Sequence, residues 1–458
     1  MKMMLSEIAK AIDATIDSNQ DVEITEVQFD SRLINVNALF VPIIGERDGH
    51  DFVFAAKDSG AIATLWQTDH EIPENLGLAV LRVDDCLAAL QKLAKYYLQK
   101  VNPKVVAVTG SNGKTTTKDM IRDVLSTQFN VHATEGNFNN ELGVPMTILN
   151  MKINTEMLVC EMGMDRPGQL TQLSQIVSPD VAVITMIGEA HLEFFGTREK
   201  IAQAKMEITS YLKEDGYLIY NGDEPLLNNL AQNIEQDKLT FGFENTNHLY
   251  ATNVETKQKQ MKFQTNLDED INFTLPVIGN HNVSNALAAI SVGEVLQIEP
   301  SNMQNALSHF NLTKDRMQWL EGDAGEEIMS DIYNSNPTAT RASLSAFSNV
   351  SLVDETNQRI VVLADMLELG EQGPELHANL VTAFSKDAIN QVYLYGPLMA
   401  NLYSQLIKIY PETNLHYYDI DHKQQLIQDL QATIHAGDLV LLKGSHGLHL
   451  SEVLQALL

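Results

Sequence analysis

Cysteine is almost absent: Cys86 and Cys160 are the only two in a chain of 458 residues. They match no metal-ligand spacing and are too few for a disulfide framework, which excludes both a cysteine-held zinc site and a stapled secreted scaffold. Cys160, inside the apolar run MLVCEMG, reads as a small core residue. Positive charge is also scarce. Lys and Arg total 31 against 60 Asp and Glu, a formal net charge of -29 with His neutral. That balance excludes a broad nucleic-acid or anionic-membrane surface. An anionic ligand must therefore be held by local lysines, arginines and helix N-termini, against the field of the whole chain. Long apolar runs are missing as well. No window approaches the ~20 apolar residues of a membrane helix, and MKMMLSEIAKAIDA lacks the apolar stretch of a signal peptide. A cytoplasmic, monomeric protein with no nucleic-acid and no membrane partner is expected. Internal repeats and low-complexity tracts are absent.

What is present is ordinary for an enzyme. Hydrophobic residues make up 44% and charged residues 20%, enough to build large cores, and the length is about three typical domains. Residues 1–100 open with a short amphipathic helix, continue through strand-like EVQFDSR and ALFVPIIG, and end in a helix expected over 86–99, with Asn102-Pro103 as a linker. From Val105, apolar strand candidates (VVAVTG, MLVCEMG, DVAVITMIG, GYLIYNGDE) alternate with helical patterns, the signature of parallel βαβ units. Residues 238–275 look like an antiparallel edge or a subdomain. A third section, starting at 311–316, repeats the alternation with EEIMSDIYN, RIVVLADM, QVYLYG and DLVLLKGS, without a second phosphate loop.

The most informative stretch is 105–119, VVAVTGSNGKTTTKD. A buried strand runs into a glycine-containing turn and then a helix, which is the layout of a phosphate cradle. Thr109, Gly110, Ser111, Asn112 and Gly113 form the turn; Lys114 can neutralise β and γ phosphate oxygens, and Thr115, followed by Thr116, can ligate Mg²⁺. Val108 stands where the usual P-loop has its first glycine, so the loop is a shorter G-x-x-G-K-T.

Other candidates cluster at the ends of predicted strands, where α/β sheets bind ligands. TEGNFNNELGVP, residues 134–145, carries Asn137, Asn139 and Asn140 and is either a turn cluster or a ligand loop. Glu161 ends the strand MLVCE, as a Mg²⁺ ligand or a solvated carboxylate. His191 follows the next strand, and Lys205 lies fourteen residues on; alone, each is more simply a structural histidine and a solvent-facing lysine. Asn282 and Asn285 in PVIGNHNVSNALAA offer amides to an adenine edge or cap a helix. Arg316 suits a phosphate and Asp331 a ribose diol, while Lys443 near the end resembles another anion site.

Taken together, FDSR, TGSNGKTTTKD, EGNFNNELGVP, EMGM, HLEFFG with AKMEI, GNHNVSNALAA, DRMQ, DIYNSNPTAT, ADMLELG and KGSHGLHL resemble, in order over nearly the whole chain, the motifs of the Mur ligase family. GNFNN and YNSNP resemble its D-alanyl-D-alanine-adding branch. The resemblance implies an α/β chain of three domains: a UDP-sugar-binding domain at 1–100, a central P-loop ATPase with a parallel sheet at 101–312, and a Rossmann-like domain at 313–458 that takes the dipeptide and part of the nucleotide. It implies an ATP-dependent ligase that joins D-alanyl-D-alanine to UDP-N-acetylmuramoyl-tripeptide through an acyl phosphate, releasing ADP and phosphate, with two Mg²⁺ ions. By motif position, Lys114, His191, Lys205 and Arg316 would be catalytic. Thr115 and Glu161 would hold one ion, and His191 with a carbamylated Lys205 the other. Thr109 to Thr116, Asn282, Asn285, Arg316 and Asp331 would bind ATP. Ser31, Arg32, Asn137, Asn139, Asn140, Asn336 and Lys443 would bind the other substrates. Ser451 departs from the acidic residue common at its position.

Two rivals are another Mur-type ligase adding a single amino acid and a non-catalytic nucleotide-binding module of the same fold. The first usually carries D-N-P-R where this chain has YNSNP; the second should have lost Glu161, His191 or Lys205, and all three are present.

Overall fold

The strand Lys104–Thr109 alternates Val105 and Ala107 into one apolar core with Val106 and Val108 into another, so it is buried on both faces and must be central. The computed structural model describes residues 1–17, 21–257 and 259–458. In it this strand sits inside a nine-stranded sheet. Seven strands, this one included, run parallel in the order Leu249–Lys257, Asp237–Gly242, Tyr217–Asn221, Val181–Ile184, Lys104–Thr109, Met157–Glu161, Val131–Ala133. Gln260–Thr265 and Phe273–Leu275 continue it antiparallel. The segment expected to be an antiparallel edge is thus antiparallel only in its second half: Asp237–Gly242 pairs parallel to Tyr217–Asn221. Its mixed polarity reflects exposure on one face, which a period-two pattern reports without reporting strand direction.

The C-terminal sheet has six strands in the order Gln318–Glu321, Glu327–Asp331, Leu439–Lys443, Arg359–Ala364, Gln391–Tyr395, Leu415–Tyr418, all parallel except the first. The N-terminal sheet has five strands, with Glu26–Gln28, Ala38–Phe40, Ala61–Gln67 and Ala79–Val83 parallel and Thr15–Asp17 antiparallel at the edge. No helix among the described residues is long and apolar enough to cross a membrane.

Asn102-Pro103 is a tight corner rather than a free linker. The helix Cys86–Val101 starts at Asp85, whose Oδ1 accepts from Ala88 N at 2.9 Å, and ends with Asn102 left-handed at φ 55, its N–H returned to Leu98 O. The helix bridges two layers. Tyr96 Oη donates to Glu7 at 2.9 Å in the first helix, and Tyr97 Oη donates to Met151 O at 2.9 Å in the central domain. Burial raises both cysteine thiols to about 12, which removes them as nucleophiles at neutral pH.

The N-terminal domain also contains a brace the sequence did not reveal. Asp48 faces His50 Nδ1 at 2.7 Å and His70 Nε2 at 2.9 Å, and His70 Nδ1 meets Asp69 at 2.7 Å. Ligand atoms of Asp48, His50 and His70 lie within 4.8 Å of one another. The two imidazoles, however, stack at 4.1 Å with planes 15° apart. Nearly parallel planes cannot both contain one ion, so the group is a hydrogen-bonded brace and not a chelate. Burial alone would push Asp48 up, but hydrogen bonds from His50 N–H and both rings hold it at about 2. Asp69 first, then Asp48, raise His70 above 6.5. Asp48 therefore stabilises the fold above about 3.8, and that contribution is lost as pH falls toward 2. The His70 contribution is present below 6.5 and is lost as pH rises through its raised value. An NMR titration should place the His70 midpoint above 6.5, with Asp69→Asn moving it down; a midpoint unmoved by that substitution contradicts the brace.

Candidate active site

Parallel strands put their carboxyl ends on one edge, and the site lies there. Lys104–Thr109 leads into the glycine turn, Met157–Glu161 ends on Glu161, and Val181–Ile184 leads to Thr185, Met186 and His191. From the other side, Asp331 and Lys443 are paired last residues of adjacent parallel strands in the C-terminal sheet. Between the two edges is a cavity of about 580 Å³.

The turn at 110–113 needs its glycines. Gly110 has φ +155, and a Cβ there would meet Thr185 Oγ1 at 1.8 Å. Gly113 has φ +81, and a Cβ would meet Asn285 Oδ1 at 2.4 Å. Side chains and backbone clamp the loop: Thr109 Oγ1 donates to Met162 O at 2.8 Å, Thr185 Oγ1 to Asn112 O at 2.5 Å, and Ser111 N to Met186 O at 2.9 Å. The helix Lys114–Leu125 then starts with its N–H groups facing the cavity and packs its Met120, Ile121 and Val124 against the helix Asn280–Val295. Lys114 Nζ donates back to Gly110 O at 2.9 Å.

The cavity joins most of the sequence candidates: Ser111 to Thr116, Asn139, Asn140, Glu161, His191, Asn282, Asn285, Arg316, Asp331 and Lys443 all line it. Glu161 is buried, with Oε1 accepting from Asn139 Nδ2 at 2.9 Å and Oε2 without any partner. Arg316 stacks over Tyr333 at 4.0 Å and leaves its buried Nε unpaired. Asp331 accepts from Lys443 Nζ at 2.7 Å and Ser343 Oγ at 2.6 Å; burial alone would raise it, but Lys443 and then Ser343 hold it below the ordinary carboxylate value. Burial, chiefly, lowers His281 to about 4, so at neutral pH it is an uncharged ring beside Met317 Sδ.

Lys205 is the outlier. It is 2% exposed, in the helix Arg198–Met206, and desolvation followed by repulsion from Lys114 drives its amine well below the ordinary lysine value. Lys114 is itself lowered by burial, with Glu161 opposing and Arg316 adding to the effect. A solvent-facing Lys205 is therefore excluded.

Several candidates sit otherwise than the sequence suggests. Lys205 is not among the residues that line the cavity. Ser31 and Arg32 are on the N-terminal domain outside the cavity, in the 3-10 helix Ser31–Leu33, where Arg32 pairs with Asp30 at 2.6 Å. Asn137 is exposed and lends its carbonyl to Asn139 N at 2.7 Å. Asn140 Oδ1 takes Gly143 N at 2.8 Å, opening the helix Gly143–Leu149. Asn282 and Asn285 spend much of their capacity locally: Asn285 accepts from Thr117 and donates to Asn282 at 3.2 Å each. Asn336 is buried off the cavity; its Oδ1 caps the helix Pro337–Ser348 by accepting from Ala339 N at 3.0 Å.

Asn336 is also one half of an interdomain contact that sequence reasoning missed. Its Nδ2 donates to Asn112 Oδ1 at 2.7 Å and its Oδ1 accepts from Asn112 Nδ2 at 3.2 Å, an amide pair between the phosphate loop and the C-terminal domain. Thr338 Oγ1 adds a bond to Glu189 at 2.7 Å. His191 Nδ1 approaches Glu368 Oε2 at 2.6 Å, although the carboxylate stands off the N–H axis.

Comparison with known proteins agrees with this architecture. The Mur ligase middle domain matches residues 108–293, and the Mur ligase glutamate ligase domain matches 315–446. The UDP-N-acetylmuramoyl-tripeptide–D-alanyl-D-alanine ligase of Bacillus subtilis is 40% identical over 464 aligned residues, covering 100% of this chain and 99% of the relative; that of Escherichia coli is 29% identical over 463, covering 100% and 98%. Among solved structures, MurF from Acinetobacter baumannii superposes with TM-score 0.87 at 27% identity, covering 99% of this chain and 98% of that one. MurF from Thermotoga maritima in complex with ADP superposes with TM-score 0.80 at 29% identity, covering 94% and 96%.

The amide pair sets a test. Asn112→Ala removes the interdomain bonds and a long contact to Met186 Sδ at 3.5 Å, whereas Asn336→Ala removes the interdomain bonds and uncaps a helix, so it should cost the C-terminal domain about 1 kcal/mol more in urea unfolding. Asn336→Ser, which keeps a capping oxygen, should match Asn112→Ala; equal losses for Asn336→Ala and Asn112→Ala contradict the dual role.

Proposed function

Because this chain belongs to the Mur ligase family, we propose that it joins D-alanyl-D-alanine to UDP-N-acetylmuramoyl-tripeptide at the expense of ATP, as a cytoplasmic, monomeric ligase of peptidoglycan precursor synthesis. The single observation that carries the chemistry is the cavity at the shared strand ends, lined by Lys114, by Arg316 with an unpaired buried Nε and by Glu161 with an unpaired Oε2. Such a site is complementary to a polyphosphate with its divalent cations, and to little else.

By resemblance to the family, residues 1–100 would take the UDP-sugar, 101–312 ATP, and 313–458 the dipeptide and part of the nucleotide. The residues suit Mg²⁺. Glu161 Oε2 is buried and free, Thr115 stands beside it in the cavity lining, and Lys205 carries an amine whose neutral form is favoured by burial. A neutral amine adds CO₂ to give a carbamate, losing one proton, and the product offers the anionic oxygen that a hard cation prefers. Thr115 and Glu161 would hold one ion, and His191 with carbamylated Lys205 a second. Bound there, the ions would screen the charge of the phosphates and of the attacking carboxylate.

The protein groups divide the remaining work. Backbone N–H groups from 110–116 cradle the β and γ phosphates, and Lys114 neutralises them. Arg316, held flat by Tyr333, reaches the transferring phosphoryl group from the C-terminal side. Asn282 and Asn285 border the adenine, and Asp331, fixed by Lys443 and Ser343, faces the ribose. The tripeptide carboxylate attacks the γ phosphorus and displaces ADP; the dipeptide amine then attacks the acyl carbon and phosphate leaves. Ser31 and Arg32 would meet the UDP-sugar. Asn137, Asn139 and Asn140 would border the acceptor side, with Asn336 and Lys443 acting after domain docking.

Two outcomes test this assignment. Phosphate release from ATP should require both UDP-N-acetylmuramoyl-tripeptide and D-alanyl-D-alanine; equal turnover with single amino acids and a shorter peptide would sink it. Lys205→Ala should lose at least a hundredfold in kcat, as when a group stabilising transition-state charge is removed, and recover part of it with short carboxylates added to the buffer. Unchanged activity refutes the role of Lys205.

A further inference from the structure

One contact at the cavity has no part in the scheme above. His191 follows the strand Val181–Ile184 of the central sheet, and Glu368 follows Arg359–Ala364 of the C-terminal sheet. Both take left-handed backbone conformations, φ 65 for His191 and φ 60 for Glu368. Neither is glycine, so each is held against a steric penalty by what surrounds it. The surroundings are visible. Glu193 N donates to Glu368 O at 3.0 Å, tying the Glu368 backbone to the short helix Leu192–Phe195 that begins directly after His191. Phe194 N donates to His191 O at 3.0 Å and closes the same turn. Gln372 Nε2 donates to Gly196 O at 3.3 Å from the C-terminal side. Gly370 keeps the two domains close, since a Cβ there would stand 3.2 Å from the Glu193 Cα.

Two strained residues thus face each other across the domain junction, with Glu368 Oε2 at 2.6 Å from His191 Nδ1. Nδ1 is buried and has no aligned hydrogen-bond partner, while His191 borders the cavity. A histidine that binds a cation through one nitrogen commonly donates the other N–H to a carboxylate, which fixes the tautomer and the ring orientation. We propose that Glu368 is a positioning residue for His191: it accepts from Nδ1–H and leaves Nε2 with the lone pair that takes a cation. A small rotation of the Glu368 carboxylate onto the N–H axis completes the bond. Because Glu368 belongs to the C-terminal domain, it is present only when that domain is docked. The cation position at His191 is then completed by docking, and bare central-domain residues hold the ion more weakly.

The inference rests on His191 being a cation ligand, so the experiment separates the two. Full-length protein, with a non-hydrolysable ATP analogue, is titrated with Mn²⁺ and read by electron paramagnetic resonance for wild type, His191→Ala, Glu368→Ala and Glu368→Gln. ¹⁵N NMR of the imidazole reports the His191 tautomer in the last two. Glu368→Ala should weaken the weaker of two Mn²⁺ sites about tenfold and release the Nδ1–H tautomer. Glu368→Gln, whose amide oxygen still accepts, should recover most of both. Wild-type Mn²⁺ affinity and tautomer in Glu368→Ala, alongside weakened binding in His191→Ala, overturn the positioning role and leave His191 as a ligand. Unchanged Mn²⁺ binding in His191→Ala overturns the ligand assignment and the inference with it.

Discussion

The site depends on one amine, that of Lys205, buried with no carboxylate acting on it among the described residues. Lys205 lies inside the protein, where desolvation followed by repulsion from Lys114 holds its amine well below the ordinary lysine value; burial also lowers Lys114, with Glu161 opposing. In a chain with net charge -29, these groups and Arg316 are a local exception to the general field. The fold builds that exception by running parallel strands to a common edge and closing a second sheet over it. In the proposed reading, polyphosphate would supply negative charge on one side and CO₂ on the other, by turning the buried amine into an anion. The unpaired Oε2 of Glu161 fits that reading, because an acidic oxygen beside phosphates would be tolerable only with cations between them.

A cavity shared by two domains requires something to hold them together. Asn112 and Asn336 bond reciprocally, and Thr338 meets Glu189; both links run between the phosphate-loop side and the first turn of the helix Pro337–Ser348. Each is a pair of neutral groups or a single carboxylate contact, worth about 1 kcal/mol, so docking is held by small increments rather than one strong bond. Links of this size can be broken and remade at small cost, which is what the proposed closure of the domains around substrates would require.

How much of this was legible in the sequence follows the range of each interaction. The phosphate turn was plain because its glycines, lysine and flanking strand and helix are contiguous, and its departure at Val108 needed no tertiary information. Glu161 was found because strand ends in βαβ units share an edge. Lys205 could not be read locally: its helix has exposed and buried residues alike, and only packing shows that this lysine is enclosed. The asparagines of 134–145 read as either a turn cluster or a ligand loop; in the structure Asn139 and Asn140 line the cavity and Asn137 does not. Asn139 orients Glu161, Asn140 opens a helix and Asn137 is exposed, since amides adjacent in sequence point in different directions in an irregular loop. The contacts of Asn112 with Asn336, and of His191 with Glu368, pair residues 224 and 177 apart (368 minus 191), beyond any pattern a single sequence can show.

The central claim is that burial favours the neutral amine of Lys205, the form that takes up CO₂ to become an anion. It is tested most directly by ¹³C NMR of the protein equilibrated with ¹³C-bicarbonate. A carbamate resonance should appear in the wild-type protein, persist through exchange of the free bicarbonate, and be absent from Lys205→Ala. A spectrum without a protein carbamate, or one in which the resonance survives Lys205→Ala, contradicts the account.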